Sequence, residues 1–258
     1  MTSATSAAAA HAGQGELAGR CAIVSGASRG VGLASAHRLA QAGAGVIMTG
    51  RDAERGERAA ASVREQGGKA VFVRADQGDE DGWRAAAAAA RDSFGRLDIL
   101  VLNAGVSEMA RTADLSLEDF RRVSRTNLRG PFLGMKYGVE AIRAGARGGS
   151  VVMIASIAGR IGVVDHIHYT ASKAGVGLLA KAAALELGPE KIRVNTILPG
   201  FVRTDMTARF PEEARLGAPL GRAAEPEEIA EAVCFLASER SAFMTGAEMV
   251  IDGGWTAR

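Results

Sequence analysis

Cysteine is scarce in this chain of 258 residues: there are two, Cys21 and Cys234, far apart and each in apolar surroundings. Neither has the spacing of a metal or redox motif, and both are expected to be buried free thiols acting as small hydrophobes. An excess of one charge is missing too. The 31 basic and 29 acidic residues leave +2, and the arginines are scattered, so nothing marks a nucleic-acid partner. No apolar run approaches the roughly 18–20 residues of a membrane span. No Lys or Arg precedes Arg20, and no leucine-rich core follows, so the N-terminus does not read as a signal peptide. Residues 1–16, rich in small side chains, are expected to form a disordered tail, and the protein is expected to be cytoplasmic. No Pro/Ser linker or fixed-period repeat divides the remainder, which predicts one domain over 17–258.

What is present is an alternation of short β-branched runs with helical stretches. "CAIVSG", "GVIMTG", "KAVFVRAD", "LDILVLNAG", "GSVVMIAS", "IRVNTILPG" and "EMVIDGG" read as strands. Helical patterns separate most of them, including one long helix expected over 116–145. Near-continuous apolar strands require both sheet faces to be covered, so the fold class is α/β: a doubly wound, Rossmann-like parallel sheet with helices on both faces. One less regular stretch, about 201–225, is expected to be a lid anchored by Phe201, Met206, Phe210, Leu216 and Leu220.

Gly26, Gly30 and Gly32 in "SGASRGVG" follow a strand and open a helix. There the backbone must turn tightly and can approach phosphate oxygens, which helix N-terminal N–H groups would meet. The loop alone leaves two readings open, a pyrophosphate cradle and a tight turn with no ligand. Tyr169 and Lys173 are four apart and share a helix face. A phenol titrates near pH ~10, and a cation one turn away is expected to lower that value enough for acid–base work. The chain's other tyrosine, Tyr137, has Ala141 at the matching position. Ser156 ends a strand, where open α/β sheets bind ligands. His166 and His168 in "VVDHIHY" lack the carboxylate–His spacing of a closed metal site and are expected on a pocket rim or the surface; no metal is expected. Asp252 is expected to cap a turn.

"SGASRGVG", "NAG" (Asn103 to Gly105), Asn127, Ser156, "YTASK" (Tyr169 to Lys173) and "LPG" (Leu198 to Gly200) together resemble the short-chain dehydrogenase/reductase family, in its order and spacing from about Leu17 to Gly254. The resemblance implies that Tyr169 donates or accepts the proton, Lys173 also holds the nicotinamide ribose, Ser156 orients substrate and Asn127 fixes a water. It implies a dinucleotide held by Gly26, Ser28, Arg29, Gly30, Val31, Gly32, Gly50, Arg51, Asp76, Asn103, Ala104, Gly105, Tyr169, Lys173, Pro199, Gly200, Val202 and Thr204. A homotetramer is the assembly it implies.

NAD enzymes of this fold place an acid at the end of the second strand. Here Gly50 and then Arg51 stand there, and a guanidinium suits a 2′-phosphate, so NADP(H) is favoured over NAD. A one-residue slip would bring Asp52 to the ribose instead. The substrate pocket is expected to comprise Ser156, Ile157, Ala158, Val163, Tyr169, Phe201, Met206 and Phe210, which suits a small-molecule ketone or secondary alcohol with apolar flanks. "MTGRDAERGERAAASV" and "MTGAEMVIDGGWTA" look most like the branch of NADP-dependent secondary-alcohol dehydrogenases. The alternatives are a 3-oxoacyl carrier-protein reductase, whose basic rim Arg203, Arg209, Arg215 and Arg222 could supply while Glu212 and Glu213 dilute it; a polyol or sugar dehydrogenase; and a dinucleotide-binding sensor without turnover.

Overall fold

The computed structural model describes residues 15–208, 210 and 216–257. Seven parallel strands form one sheet in the order β3-β2-β1-β4-β5-β6-β7. They are β1 (Cys21–Ser25), β2 (Gly45–Gly50), β3 (Lys69–Arg74), β4 (Ile99–Leu102), β5 (Gly149–Ile154), β6 (Ile192–Pro199) and β7 (Glu248–Ile251). The order reverses direction between β1 and β4, the point where an open α/β sheet opens a crevice.

Side-chain alternation along the strands builds two cores. In β1, Ala22 and Val24 pack on one face with Leu39, Val63 and Ile229. Cys21 and Ile23 pack on the other with Trp83, Leu133 and Val176. The first face is covered by α1 (Gly30–Gln41), α2 (Ala53–Glu65) and α7 (Pro226–Ala237). The second is covered by α3 (Glu80–Phe94), α5 (Gly130–Ala144) and α6 (Ile167–Leu187). Both faces being buried is what the unbroken apolar strands require. Cys21 and Cys234 are free and buried in these cores, and burial pushes each thiol up to about 12.

The long helix expected over 116–145 is interrupted. α4 (Leu117–Ser124) runs into a single π-helical turn, Arg125–Arg129, before α5 begins. Pro131, in the first turn of α5, lacks the N–H that a continuous helix would use and is tolerated only at such a start. Residues 1–14 of the expected tail lie outside the described residues, but Gly15 and Glu16 belong to the packed body. Glu16 pairs with Arg38 at 3.3 Å and accepts from the Cys234 thiol. Asp252 caps its turn as expected, accepting from the Gly254 and Thr256 backbone N–H groups at 2.9 and 2.8 Å. No helix among the described residues is long and apolar enough to cross a membrane.

Candidate active site

The glycine loop is shaped by close packing. Gly26 (φ 65°) and Gly30 (φ 53°) occupy the left-handed region. A Cβ on Gly32 would lie 2.3 Å from the Gly26 carbonyl oxygen and 2.5 Å from Asn103 Nδ2, so no side chain fits. Asn103 Nδ2 donates to the Ser25 carbonyl at 2.8 Å. The Ser25 hydroxyl accepts from the Asn103 and Ala104 N–H groups and donates to Gln77. This stitches β1 to β4 at the reversal of strand order and leaves the start of α1 facing open space.

That space is a cavity of about 470 Å³ along the C-terminal strand ends. Every residue expected to hold a dinucleotide lines it, from Gly26 to Thr204, together with Ser156 and Met206. Residues that local pattern does not reveal line it too, among them Thr49, Gln77, Val106, Thr126, Ile154 and Arg203. Gln77 is 6% exposed and donates to the carbonyls of Ala104 and Thr126 at 2.6 Å each, tying the cavity floor to the π turn.

At one end stand Ser156, Tyr169 and Lys173. Lys173 Nζ lies 5.8 Å from the Tyr169 ring centre and donates to the Ile154 carbonyl at 2.8 Å. Its burial brings the ammonium down to about 8. The expected lowering of the phenol is not found: desolvation pushes Tyr169 up, opposed by a hydrogen bond with the Ser156 side chain. Asn127 and Lys173 converge beside Gly105, where an added Cβ would lie 3.5 Å from Asn127 Oδ1 and from Lys173 Nζ. The Asn127 amide does not line the cavity and is occupied within the protein. It accepts from Val106 N–H and donates to the Val106 carbonyl, both at 2.8 Å, and also donates to Ser172 Oγ at 3.2 Å.

Several pocket expectations are corrected. Ser156 opens a 3₁₀ turn, Ile157–Gly159, by accepting from Ala158 N–H. That turn aims Ile157 (6% exposed) and Ala158 (4%) into the protein interior rather than the cavity. Val163 is half-buried and does not line the cavity, and neither do Phe201 and Phe210. Phe201 packs on Phe210 and Trp255 at 5.4 and 5.5 Å between ring centres. The Leu216 and Leu220 side chains are exposed, and Leu220 is held through its N–H, which donates to the Gly253 carbonyl at 3.2 Å. His166 and His168 are both buried, not surface residues. His166 stacks on Phe210 at 5.5 Å and meets Tyr169 edge-on at 6.2 Å. Burial, with His166 nearby, pushes the His168 imidazolium down. Among the described residues, no three of His, Cys, Asp and Glu are grouped to hold a metal.

At the other end of the cavity stand Gly50 and Arg51. The next residue, Asp52, is turned away. Its carboxylate caps α2 by accepting from Arg55 N–H at 3.0 Å, and that bond holds it below its usual range. Arg29 pairs with Asp205 at 3.1 Å across the mouth. Asp76 accepts from Gly78 N–H and from Arg125.

A family sequence model described as enoyl-(acyl carrier protein) reductase matches residues 26–256. A crystal structure of a short-chain type dehydrogenase/reductase from Mycobacterium marinum has a TM-score of 0.90 to this fold at 36% identity, covering 94% of this chain and 97% of that one. The chain belongs to the short-chain dehydrogenase/reductase family. With that membership comes the reaction class, oxidoreduction between a CH–OH group and its carbonyl. Among its relatives, the trans-4-hydroxycyclohexanecarboxylate dehydrogenase of Sinomonas cyclohexanicum is 42% identical over 93% of this chain and 94% of that enzyme. The NADP-dependent (R)-specific alcohol dehydrogenase of Lentilactobacillus kefiri is 38% identical over 94% of this chain and 98% of that enzyme.

Proposed function

We propose that this dehydrogenase/reductase interconverts a cyclic or otherwise apolar-flanked ketone and its secondary alcohol with NADP(H), using Tyr169 as general acid and base. The observation that carries the proposal is a single cavity joining the glycine loop to Ser156, Tyr169 and Lys173. Its lining suits a dinucleotide: Gly26 and Gly32 leave no room for a Cβ, and the loop is backed by the N-terminus of a twelve-residue helix. A bound nicotinamide would give or take the hydride.

The chain's own groups do the rest. Ser156 donates to the substrate carbonyl oxygen or accepts from the alcohol, which fixes the reacting oxygen beside Tyr169. The raised pKa keeps the phenol protonated at neutral pH, ready to donate as reduction puts charge on that oxygen. Lys173, charged below about 8, sits where it stabilises the phenolate left behind. Asn127 holds Val106 at the cavity wall and Ser172 on the helix that carries both catalytic groups, so its role is to fix their spacing.

NADP(H) is favoured by the neighbours of β2. Gly50 offers no carboxylate, Arg51 lines the cavity, and Asp52 is spent on the α2 cap. The relative from Lentilactobacillus kefiri is NADP-dependent, and the one from Sinomonas cyclohexanicum carries its alcohol on a cyclohexane ring. A carrier-protein reductase would need a basic rim. Arg203 is paired with Glu225 at 2.8 Å and Arg222 with Glu228 at 2.6 Å; Arg209 and Arg215 lie outside the described residues. We also propose a homotetramer, in keeping with the exposed Phe132 on α5 and Leu178 and Leu185 on α6. The test of function is kcat/KM for cyclohexanone, an aryl ketone and an acetoacetyl thioester with NADPH and NADH. Cyclohexanone or the aryl ketone with NADPH is expected to lead. A thioester faster by tenfold would give the activity to acyl chemistry.

A further inference from the structure

Glu248 opens β7, the last strand of the sheet, in register with Thr196 of β6. Its side chain is 14% exposed, and each carboxylate oxygen meets a different cation. Oε2 accepts from Arg160 Nε at 2.9 Å and from Nη2 at 2.5 Å. Oε1 lies 3.0 Å from Lys181 Nζ. Burial pushes the carboxyl up, but the bonds from Arg160 and Lys181 outweigh it and hold Glu248 below its usual range. The group is an anion at neutral pH.

The two cations belong to the two elements that carry the site. Arg160 directly follows the 3₁₀ turn, Ile157–Gly159, that Ser156 opens. Lys181 stands on α6 about two turns beyond Lys173, with Gly177 midway between them. Two glycines let these parts close up. A Cβ on Gly159 would lie 2.9 Å from the Lys173 carbonyl carbon and oxygen, so the turn rests on the backbone of Lys173 itself. A Cβ on Gly177 would lie 3.2 Å from Glu248 Oε1, so the carboxylate reaches the helix where no side chain stands.

We propose that Glu248 is a positioning residue, holding the Ser156 turn and α6 to one post on the sheet and so fixing the Ser156 hydroxyl against the Tyr169 phenol. The inference rests on the roles proposed above for Ser156, Tyr169 and Lys173. Arg160 and Lys181 are each about half exposed, and ion pairs of that kind contribute little stability. What the carboxylate controls is distance. A misplacement of about 1 Å between reacting groups can cost about 10²-fold in rate, so a fraction of that slack between turn and helix is enough to slow turnover. Glu248, Arg160 and Lys181 do not line the cavity, so none is placed to touch a dinucleotide there.

The experiment measures kcat, ketone KM and NADPH Kd in wild type, Glu248→Gln, Arg160→Met, the double variant and Glu190→Gln. The ketone is cyclohexanone or the aryl ketone, whichever wild type reduces faster. Rates are divided by the concentration of NADPH-binding sites from fluorescence titration, so unfolded protein drops out. Glu248→Gln keeps the shape but turns an amide N–H group towards one of the cations. Its kcat is expected to fall about five- to tenfold, with NADPH Kd nearly unchanged. Arg160→Met should give a similar fall and the double variant no further one, because both changes remove the same link. Glu190→Gln breaks a comparable pair, with Arg143, just before the start of β6, and should leave kcat unchanged. Wild-type kcat in Glu248→Gln, even with a lower unfolding temperature, overturns the assignment, since a merely structural role predicts that result. An additive double variant, an equal fall in Glu190→Gln or weakened NADPH binding in Glu248→Gln overturns it too, and each leaves the ketoreductase function standing. Failure of wild type to reduce either ketone overturns that function and the inference with it.

Discussion

The Lys173 ammonium donates to the Ile154 carbonyl, at the last residue of β5, across 2.8 Å. One backbone oxygen is a thin replacement for water around a charge that is 5% exposed, and the ammonium titrates near 8 as a result. The unfolded chain holds that proton up to about pH 10.5, so between roughly 8 and 10.5 the unfolded state binds more protons than the folded one. Stability from this group therefore rises with pH across that window, by about 3 kcal/mol at most, and its cost is fully present below it. Urea unfolding at pH 7, 8, 9 and 10 should show wild type gaining stability relative to Lys173→Met as pH rises, while the raised Cys21, Cys234 and Tyr169 pull both proteins down alike. Parallel pH dependences in the two proteins would contradict a depressed Lys173.

Tyr169→Phe keeps the ring against His166 and removes only the hydroxyl. Turnover should fall by the ~10²–10⁴-fold typical of a general acid or base, while fluorescence titration still detects NADPH binding. In wild type, the raised phenol should let reduction hold across neutral pH while alcohol oxidation climbs towards alkaline pH. A Tyr169→Phe enzyme with wild-type turnover would remove the phenol from the mechanism.

Cofactor choice can be rewritten at one glycine. A Cβ on Gly50 would meet nothing closer than Phe72 at 3.5 Å, so Gly50→Asp fits without strain. The new carboxylate should repel a 2′-phosphate and accept from a 2′-hydroxyl. Losing a charge-assisted contact costs about 1.5–3 kcal/mol, roughly ten- to over a hundredfold in affinity. Arg51→Ala should weaken NADPH by a similar factor and leave NADH nearly unchanged. The measurement is kcat/KM for both dinucleotides; equal losses for both in Arg51→Ala would point to Asp52 on the ribose.

The Arg29–Asp205 pair is exposed on both sides, and such pairs contribute only about 0.2–1 kcal/mol. Asp205→Asn should therefore free Arg29 at little cost and tighten NADPH by no more than about fivefold. Weaker NADPH binding in this variant would show that Asp205 holds Arg29 in place for the dinucleotide.

Sheet, crossovers and glycine loop were legible because they follow from local rules: apolar runs, strand–glycine–helix order, and a Tyr and Lys one turn apart. What escaped depends on which way a side chain turns after the chain has packed. Ile157 and Ala158 follow Ser156 in sequence, yet the 3₁₀ turn that Ser156 itself initiates takes them inside. His166 and His168 look like surface residues by type, and only the aromatic wall and the packing of α6 bury them. Gln77 carries no motif at all; its partners come from β1, the segment after β4 and the π turn, which meet only in the fold. The π turn did leave a trace, Pro131, which marks a helix start inside an apparently continuous pattern.

That turn makes chain length as specific as residue type. With 3.6 residues per helical turn, deleting one residue from 125–129 would rotate all of α5 by about 100° relative to α4. Leu133, Val139 and Ile142 would swing out of the core that they fill beneath β4 and β5. A protein with Ser156, Tyr169 and Lys173 all intact would then lose the proposed site by a miscount.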